Sequence, residues 1–417
     1  MNRRVRRVVF ALFCLGVLAG RAYSQQGDGR ARCGSPTLFQ VSRWDEKSRR
    51  KQLGFIDRAG KLVIGFDRLP EMTVSLGGFC EGRAMIVVAG GEKTPGGRSD
   101  TKVGFIDESG RVVIEPRYDS ARDFSEGLAF AWGGGFLGFI DRDGKEVFKI
   151  DNLAVGDFHD GLASIVLRAA RPSEGGYIDR SGRLAVKGRY GFVDDFAEGL
   201  AGVEVDDGIV GRVGFINTKG EMVLPPRFGV TKGGDALLTV ATARFSEGLA
   251  CVKWGGGYGY IDKRGEFIIP PQFREAQGFS EGLAWVKTPQ GKAGWIDKAG
   301  RWVVTLAVND VHPGGFVIAS TSALNDWGYS EGLVPFPVYS GKKVLRGYMD
   351  RTGEVAIRPM EFDSTGPFRG GLARVTFFES AAYLKGRPGY FDRVTKQFMA
   401  EKYSYIDRTG RFLWREP

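Results

Sequence analysis

Gly259-Tyr260-Ile261-Asp262-Lys263-Arg264-Gly265-Glu266-Phe267-Ile268-Ile269-Pro270-Pro271 leads, a few residues on, to Phe279-Ser280-Glu281-Gly282-Leu283-Ala284-Trp285-Val286-Lys287. The first part describes a hairpin. The Asp262 carboxylate can accept from backbone amides two residues on, and Gly265 takes the positive-φ position that closes the turn. Apolar strands flank that turn, and Pro270-Pro271, lacking N–H groups, ends the pairing. The tract Leu283 to Lys287 reads as a third strand with period two, Ala284 and Val286 sharing one face.

The same two phrases recur along the whole chain and alternate. The hairpin phrase stands at Gly54, Gly104, Gly138, Gly176, Gly214, Gly259, Gly294 and Gly347, with weaker copies at Gly389-Tyr390-Phe391-Asp392 and Tyr405-Ile406-Asp407. The strand phrase stands at Glu81, Glu126, Asp160, Glu198, Glu247, Glu281 and Glu331, each followed by Gly, and once as Gly370-Gly371-Leu372-Ala373. From motif Asp to strand-phrase Gly the separation is 20 residues in four units: 107 to 127, 141 to 161, 179 to 199 and 262 to 282. A period of roughly 35 to 50 residues belongs to arrays of small modules. A three-stranded unit is marginal alone in water and must bury itself against its neighbours. The expected architecture is all-β: an open β-superhelix of eight units, with a leading strand near Leu38 to Trp44 and a closing hairpin at Tyr405 to Trp414 capping its ends. The alternative is a closed β-propeller, which uses four strands per blade.

These phrases resemble the bacterial WG-repeat family, with its Gly-aromatic-Ile-Asp hairpin and Phe-x-Glu-Gly-Leu-Ala strand. The resemblance spans residues 37–417. The tryptophan that gives the family its name is replaced before the motif glycine by Leu53, Val103, Leu137, Gly175, Val213, Tyr258, Ala293 and Arg346. The resemblance implies a β-repeat domain that binds or supports a partner, without catalytic residues of its own.

Residues 1–24 combine Arg3, Arg4, Arg6 and Arg7, an apolar run from Val8 to Ala19, and the small-residue exit Ala22-Tyr23-Ser24. This is the pattern of a signal peptide, so export to the periplasm or the extracellular space is expected, with residues 25–36 as a linker. The apolar run falls short of the roughly 20 residues a membrane span needs, and the mature chain offers no other candidate. Without residues 1–24 the formal charge falls from +10 to +5, since five arginines and no acid are removed. Basic side chains are scattered through turns rather than gathered in a stripe, which argues against nucleic acid as a partner. Of the four cysteines, Cys14 belongs to the leader, and Cys33 with Cys80 could form one disulfide between the N-terminal segment and the first unit in an oxidising compartment. The alternative is that Cys80 and Cys251 are small buried hydrophobes.

The inventory disfavours catalysis. His159 and His312 are the two histidines, and neither stands at triad or metal-site spacing. An Asp repeated in every unit serves a turn that every unit needs, whereas a catalytic acid is needed once. The recurring Glu is expected to bond nearby backbone amides. Gly133-Gly134-Gly135 and Gly255-Gly256-Gly257 lack the Gly-Lys-Ser/Thr ending of a phosphate loop and read as hairpin turns. No cofactor or metal is called for. The contrary possibility is a carbohydrate-processing enzyme whose acidic pair is drawn from insertion acids such as Asp235, Asp310 and Asp326.

Recognition is expected where the units differ. One such place is the position two after the motif Leu, occupied by Met85, Phe130, Ser164, Gly202, Cys251, Trp285, Pro335 and Arg374, if that column faces outward. Another is the set of insertions, Ala89 to Lys102, Gly229 to Ala243, Thr305 to Tyr329 and Ala381 to Pro388. The candidate contact residues are Trp132, Trp254, Trp285 and Arg374, for a protein or cell-envelope glycan partner.

Overall fold

The computed structural model describes residues 33–93, 99–151, 155–168, 174–206, 211–231, 243–306, 317–318, 328–340, 343–380, 390–392 and 397–415. The expected signal peptide, most of the linker, and His312, Asp235, Asp310 and Asp326 lie outside these residues. Among the described residues no helix is long and apolar enough to cross a membrane.

Among the described residues every strand falls into one of nine antiparallel sheets, which run in chain order as residues 39–64, 73–118, 120–149, 155–188, 190–231, 245–273, 275–306, 317–360 and 364–415. They are numbered one to nine below. Sheet one has three strands, sheet nine has five, and each of the others is a four-stranded meander. Such a sheet is the blade of a β-propeller. The strand missed in the sequence is the first of each sheet after sheet one, which in sheets three, six and seven is only the pair Ser120–Ala121, Phe245–Ser246 or Glu275–Ala276. It pairs with the Glu-Gly-Leu-Ala strand, as in Phe245↔Ala250.

Sheet six shows the construction. Leu249–Trp254 pairs with Gly257–Ile261, which pairs with Phe267–Phe273. Between the last two, Asp262 Oδ1 accepts from Arg264 N–H at 2.9 Å and from Glu266 N–H at 3.0 Å, with Gly265 at φ 80°. The same carboxylate turn closes at Asp57, Asp107, Asp141, Asp179, Asp297, Asp350 and Asp407, and Asn217 builds it with its amide oxygen. Pro270 and Pro271 do not end the pairing. The register jumps from Tyr260↔Ile269 to Tyr258↔Phe273, so the prolines occupy a bulge in the last strand of the sheet, where no donor is required. The motif glycine is needed at this crossing, since a Cβ on Gly259 would stand 2.7 Å from the Ile269 carbonyl oxygen.

The described residues form two compact units. In the unit of Ile150–Gly291 with Ile296–Arg301, each motif aromatic meets the ring that precedes the next strand phrase: Tyr177 with Phe196, Phe215 with Phe245 and Tyr260 with Phe279, at centroid distances of 4.7, 5.1 and 4.9 Å. Where the motif aromatic is Tyr, its hydroxyl is satisfied by a main-chain carbonyl, as Tyr260 is by Gln277 at 2.7 Å. The core of sheets five and six gathers Val213, Phe215, Leu224, Phe228, Phe245 and Ile261 around these pairs.

The second unit comprises Cys33–Lys149, Lys292–Trp295 and Trp302–Pro417. It repeats the aromatic pairing with Phe55 and Phe79, Phe105 and Phe124, and Tyr348 and Phe368. Here the first and last sheets pack on each other. Phe39 stands edge-on to Tyr405 at 5.5 Å, within a cluster of Phe39, Val41, Ile56, Leu372, Tyr403 and Tyr405. This contact, together with the four-stranded sheets, overturns the open superhelix of eight three-stranded units with separately capped ends. The fold is a β-propeller of nine blade-like sheets. The presumed closing hairpin is the third and fourth strand of sheet nine, and Tyr390–Asp392, counted as a weak repeat, is an extra strand paired to Gln397–Asp407. Cys33 and Cys80 form a disulfide, one of the two alternatives the sequence left open, with Cα atoms 4.4 Å apart.

Candidate functional site

Strand order gives every four-stranded sheet two unlike ends. The turn between its first and second strands and the turn between its third and fourth share one end, which holds the Glu-Gly and Asp-x-x-Gly motifs. The remaining connections lie at the other. At that other end lie the described strand ends Lys93 and Ser99, Thr231, Leu306 and Ser380, from which the chain enters the sequence insertions.

At the motif end the polar groups are committed to architecture. Each strand-phrase acid from Glu81 to Glu331 has φ between 51° and 55°, a left-handed conformation that side chains other than Gly rarely adopt. In five of them, Glu81, Asp160, Glu198, Glu247 and Glu331, the carboxylate reaches the glycine N–H of the following sheet, where the sequence suggested a local bond. Asp160 bonds Gly199 at 2.8 Å, Glu198 bonds Gly248 at 3.1 Å and Glu247 bonds Gly282 at 2.9 Å in one unit. Glu81 bonds Gly127 and Glu331 bonds Gly371, both at 2.8 Å, in the other. The residue after the motif Asp closes the same joint: Lys263 Nζ donates to the Glu198 carbonyl and Lys298 Nζ to that of Glu247, each at 2.9 Å. Gly370 is the informative exception. Among the described residues sheet one has three strands and no Glu-Gly turn. Pro36 O instead lies 2.3 Å from where a Cβ on Gly370 would stand, and it accepts from Arg58 Nη2 at 3.2 Å.

Candidate residues from the sequence divide by position. Trp132 and Trp254 end the second strands of sheets three and six at the insertion end, 43% and 44% exposed. Glycine turns follow both, as the sequence suggested. Trp254 also touches Phe228 and Phe267, so part of its ring seals the core. Trp285 is 1% exposed. The column to which it belongs faces inward, with Phe130, Ser164, Gly202, Cys251 and Pro335 also buried. The second strand is covered on both faces, so this column cannot be the expected display row. Arg374 is an exception: it is exposed, and its guanidinium lies over the Tyr403 ring at 4.1 Å. His159 lies 3.7 Å from Asp195. Among the described residues the one group of potential metal donors, Cys33, Cys80 and Asp123, has both thiols joined in the disulfide.

A groove that the sequence did not suggest opens between sheets eight and nine at the insertion end, with a volume of about 790 Å³. Phe362, Phe377 and Phe412 form its apolar wall, with centroids 5.4 to 6.2 Å apart. Arg346, Lys402 and Arg415 also line it. Arg415 stacks over Phe412 at 3.9 Å. Arg346 is half-buried, donates to the Phe362 carbonyl at 2.7 Å and has its pKa pulled down by burial. The one available signal was that Arg346 is the single charged residue in the column before the motif glycine.

The "WG containing repeat" family description matches residues 104–131, 176–208, 214–230, 258–288 and 347–377. The chain is a WG-repeat protein. Each matched region of this WG-repeat chain includes motif strands of the sheets above. No curated protein matches it in sequence. Among solved structures it is similar to BamB from Moraxella catarrhalis, at 12% identity over 74% of this chain and 94% of that one, with a TM-score of 0.38. It is also similar to Kluyveromyces lactis Hsv2, at 9% identity over 79% and 96%, with a TM-score of 0.33. The propeller assignment of the WG-repeat chain rests on its own strand order and terminal packing.

Proposed function

We propose that this WG-repeat protein is an exported, non-catalytic binding module that holds a protein or cell-envelope polymer at the insertion end of its sheets. The observation that carries this is the division of labour between the two ends. At the motif end the repeating carboxylates and lysines bond one another's sheets, whereas the opposite end of the sheets presents the exposed indole of Trp132 and the groove beside Arg346 in one unit and the exposed indole of Trp254 in the other. Half-exposed aromatic rings anchor partners because they bury a large apolar area at little conformational cost. The N-terminal pattern of residues 1–24 and the Cys33–Cys80 bond both suit an oxidising compartment outside the cytosol.

The test immobilises the full protein, exposes it to a native envelope extract and identifies what is retained. Replacing both Trp132 and Trp254 by Ala should reduce retention of that species by about tenfold. Replacing the motif-end Arg264 by Ala should leave it unchanged. Equal retention by the double variant, or loss with the Arg264 change instead, refutes the assignment of the end.

A further inference from the structure

The groove between sheets eight and nine opens where the apolar pair of some other repeats gives way to polar residues, Arg346 opposite Met360 in sheet eight and Ser404 opposite Arg415 in sheet nine. In sheet two the residue before the motif glycine, Val103, pairs with the buried Tyr118, and in sheet five Val213 pairs with the buried Phe228. These apolar pairs fill the same place in their sheets. In sheet eight the position holds Arg346 opposite Met360, and a groove of about 790 Å³ opens beside them. Such a volume falls in the range of roughly 300 to 1,000 Å³ typical of sites that enclose a compact ligand.

Its polar groups are unevenly used. Lys343 is engaged by Glu361 at 2.5 Å, so that pair is neutralised at the rim. Arg346 makes no salt bridge among the described residues, although the Asp363 charge favours its charged form, and its hydrogen bond to the Phe362 carbonyl engages Nη1. A half-buried guanidinium with donors to spare favours a planar carboxylate, which it can meet with two bonds at once. Beside it stand the rings of Phe362, Phe377 and Phe412 and the guanidinium of Arg415.

We infer that this groove receives an acidic peptide segment of a partner protein, one carboxylate meeting Arg346 while a neighbouring aromatic side chain packs on the phenylalanine wall. A polyanion fits less well, because Glu361 and Asp363 line the same groove and would repel a run of charges. The inference deepens the assignment of the insertion end as the binding end and rests on it.

Fluorescence anisotropy with a labelled Gly-Phe-Asp-Phe-Gly peptide tests it on the full protein. Binding is expected, roughly tenfold weaker for the Asn analogue of the peptide, and equally weakened by Arg346→Met. Met suits a column where Leu53, Val103 and Leu137 stand, so the variant should keep its thermal midpoint; should it fail to fold, Arg415→Ala supplies the same comparison. The motif-end Arg264→Ala variant, which lies outside the groove, should bind the peptide normally. Failure of the peptide to bind, equal binding of the Asp and Asn peptides, or tighter binding of inorganic polyphosphate overturns the peptide assignment. If envelope capture still depends on Trp132 and Trp254 in that event, the binding end stands while the groove's ligand class falls.

Discussion

The carboxylate of Glu198 in sheet five accepts a hydrogen bond from the main-chain N–H of Gly248 in sheet six, 50 residues further along the chain. The residue that makes this bond sits at φ 54°, a conformation that costs an L side chain about 1 kcal/mol. Glu198→Gln keeps an acceptor and should cost least. Glu198→Gly loses the bond but relieves the backbone, whereas Glu198→Ala loses the bond and keeps the strain. Its carboxylate side chain is 32% exposed, so screening trims the loss for Ala to roughly 1 to 2 kcal/mol. Urea unfolding midpoints should rank Gln above Gly above Ala, and a reversed order would assign the acid another role.

Acid should loosen the Asp turns together. Burial alone would raise the Asp107 carboxyl, but bonds from Ser109 and Arg111 outweigh it and hold the pKa at about 2 against an ordinary 3.8. Asp262, Asp297, Asp350 and Asp407 are likewise lowered against the burial that would raise them, by the amides and side chains of their own turns. Because the folded value lies below the unfolded one, this stability is fully present above about pH 4 to 5 and is lost as pH falls toward 2. The thermal midpoint followed by circular dichroism should fall steeply in that window. The corresponding turn at Asn217 should not contribute, and an Asp107→Asn variant should show a shallower acid limb.

Reduction should weaken the N-terminal joint. Cys33 and Cys80 close a loop with a sequence separation of 47, for which chain entropy predicts a loss of about 4 kcal/mol on opening. Unfolding with and without dithiothreitol measures it, and Cys33→Ser should reproduce the reduced curve. Cys251, buried and with its thiol pKa pushed far up by that burial, should stay unreactive toward a thiol reagent until the protein unfolds.

Trp285 should behave as core and Trp132 as surface. Trp285→Ala removes a fully buried ring and should cost about 3 to 5 kcal/mol. Trp132→Ala should stay within about 0.5 kcal/mol. Denaturant titration of the two variants separates them, and a stable Trp285→Ala protein would restore that residue to the binding candidates.

What the residues disclosed follows the range of the forces involved. The Asp262 turn, the glycine hairpins after Trp132 and Trp254, and the pairing partners of the aromatic-Ile strands are local, and their chemistry is written within a few positions. Glu275–Ala276 escaped notice because two residues carry no alternation to detect. The Glu198 bond, the inward turn of Trp285 and the Phe39 contact with Tyr405 depend on what another sheet presents, which local spacing does not encode. Arg346 was visible as an odd member of its column, but only the neighbouring Phe362, Phe377 and Phe412 give that oddness a meaning.

The edge-on meeting of Phe39 and Tyr405 bears on biosynthesis. Sheet one is translated before sheet nine, yet the surface that buries Phe39, Val41 and Ile56 is supplied by Leu372, Tyr403 and Tyr405. A ribosome-bound chain therefore carries an uncovered apolar face until those residues emerge, and a chain cut short before residue 372 never hides it. Contacts this distant in sequence close slowly, so during that interval the nascent protein is most in need of a chaperone and most open to joining a neighbour by mistake.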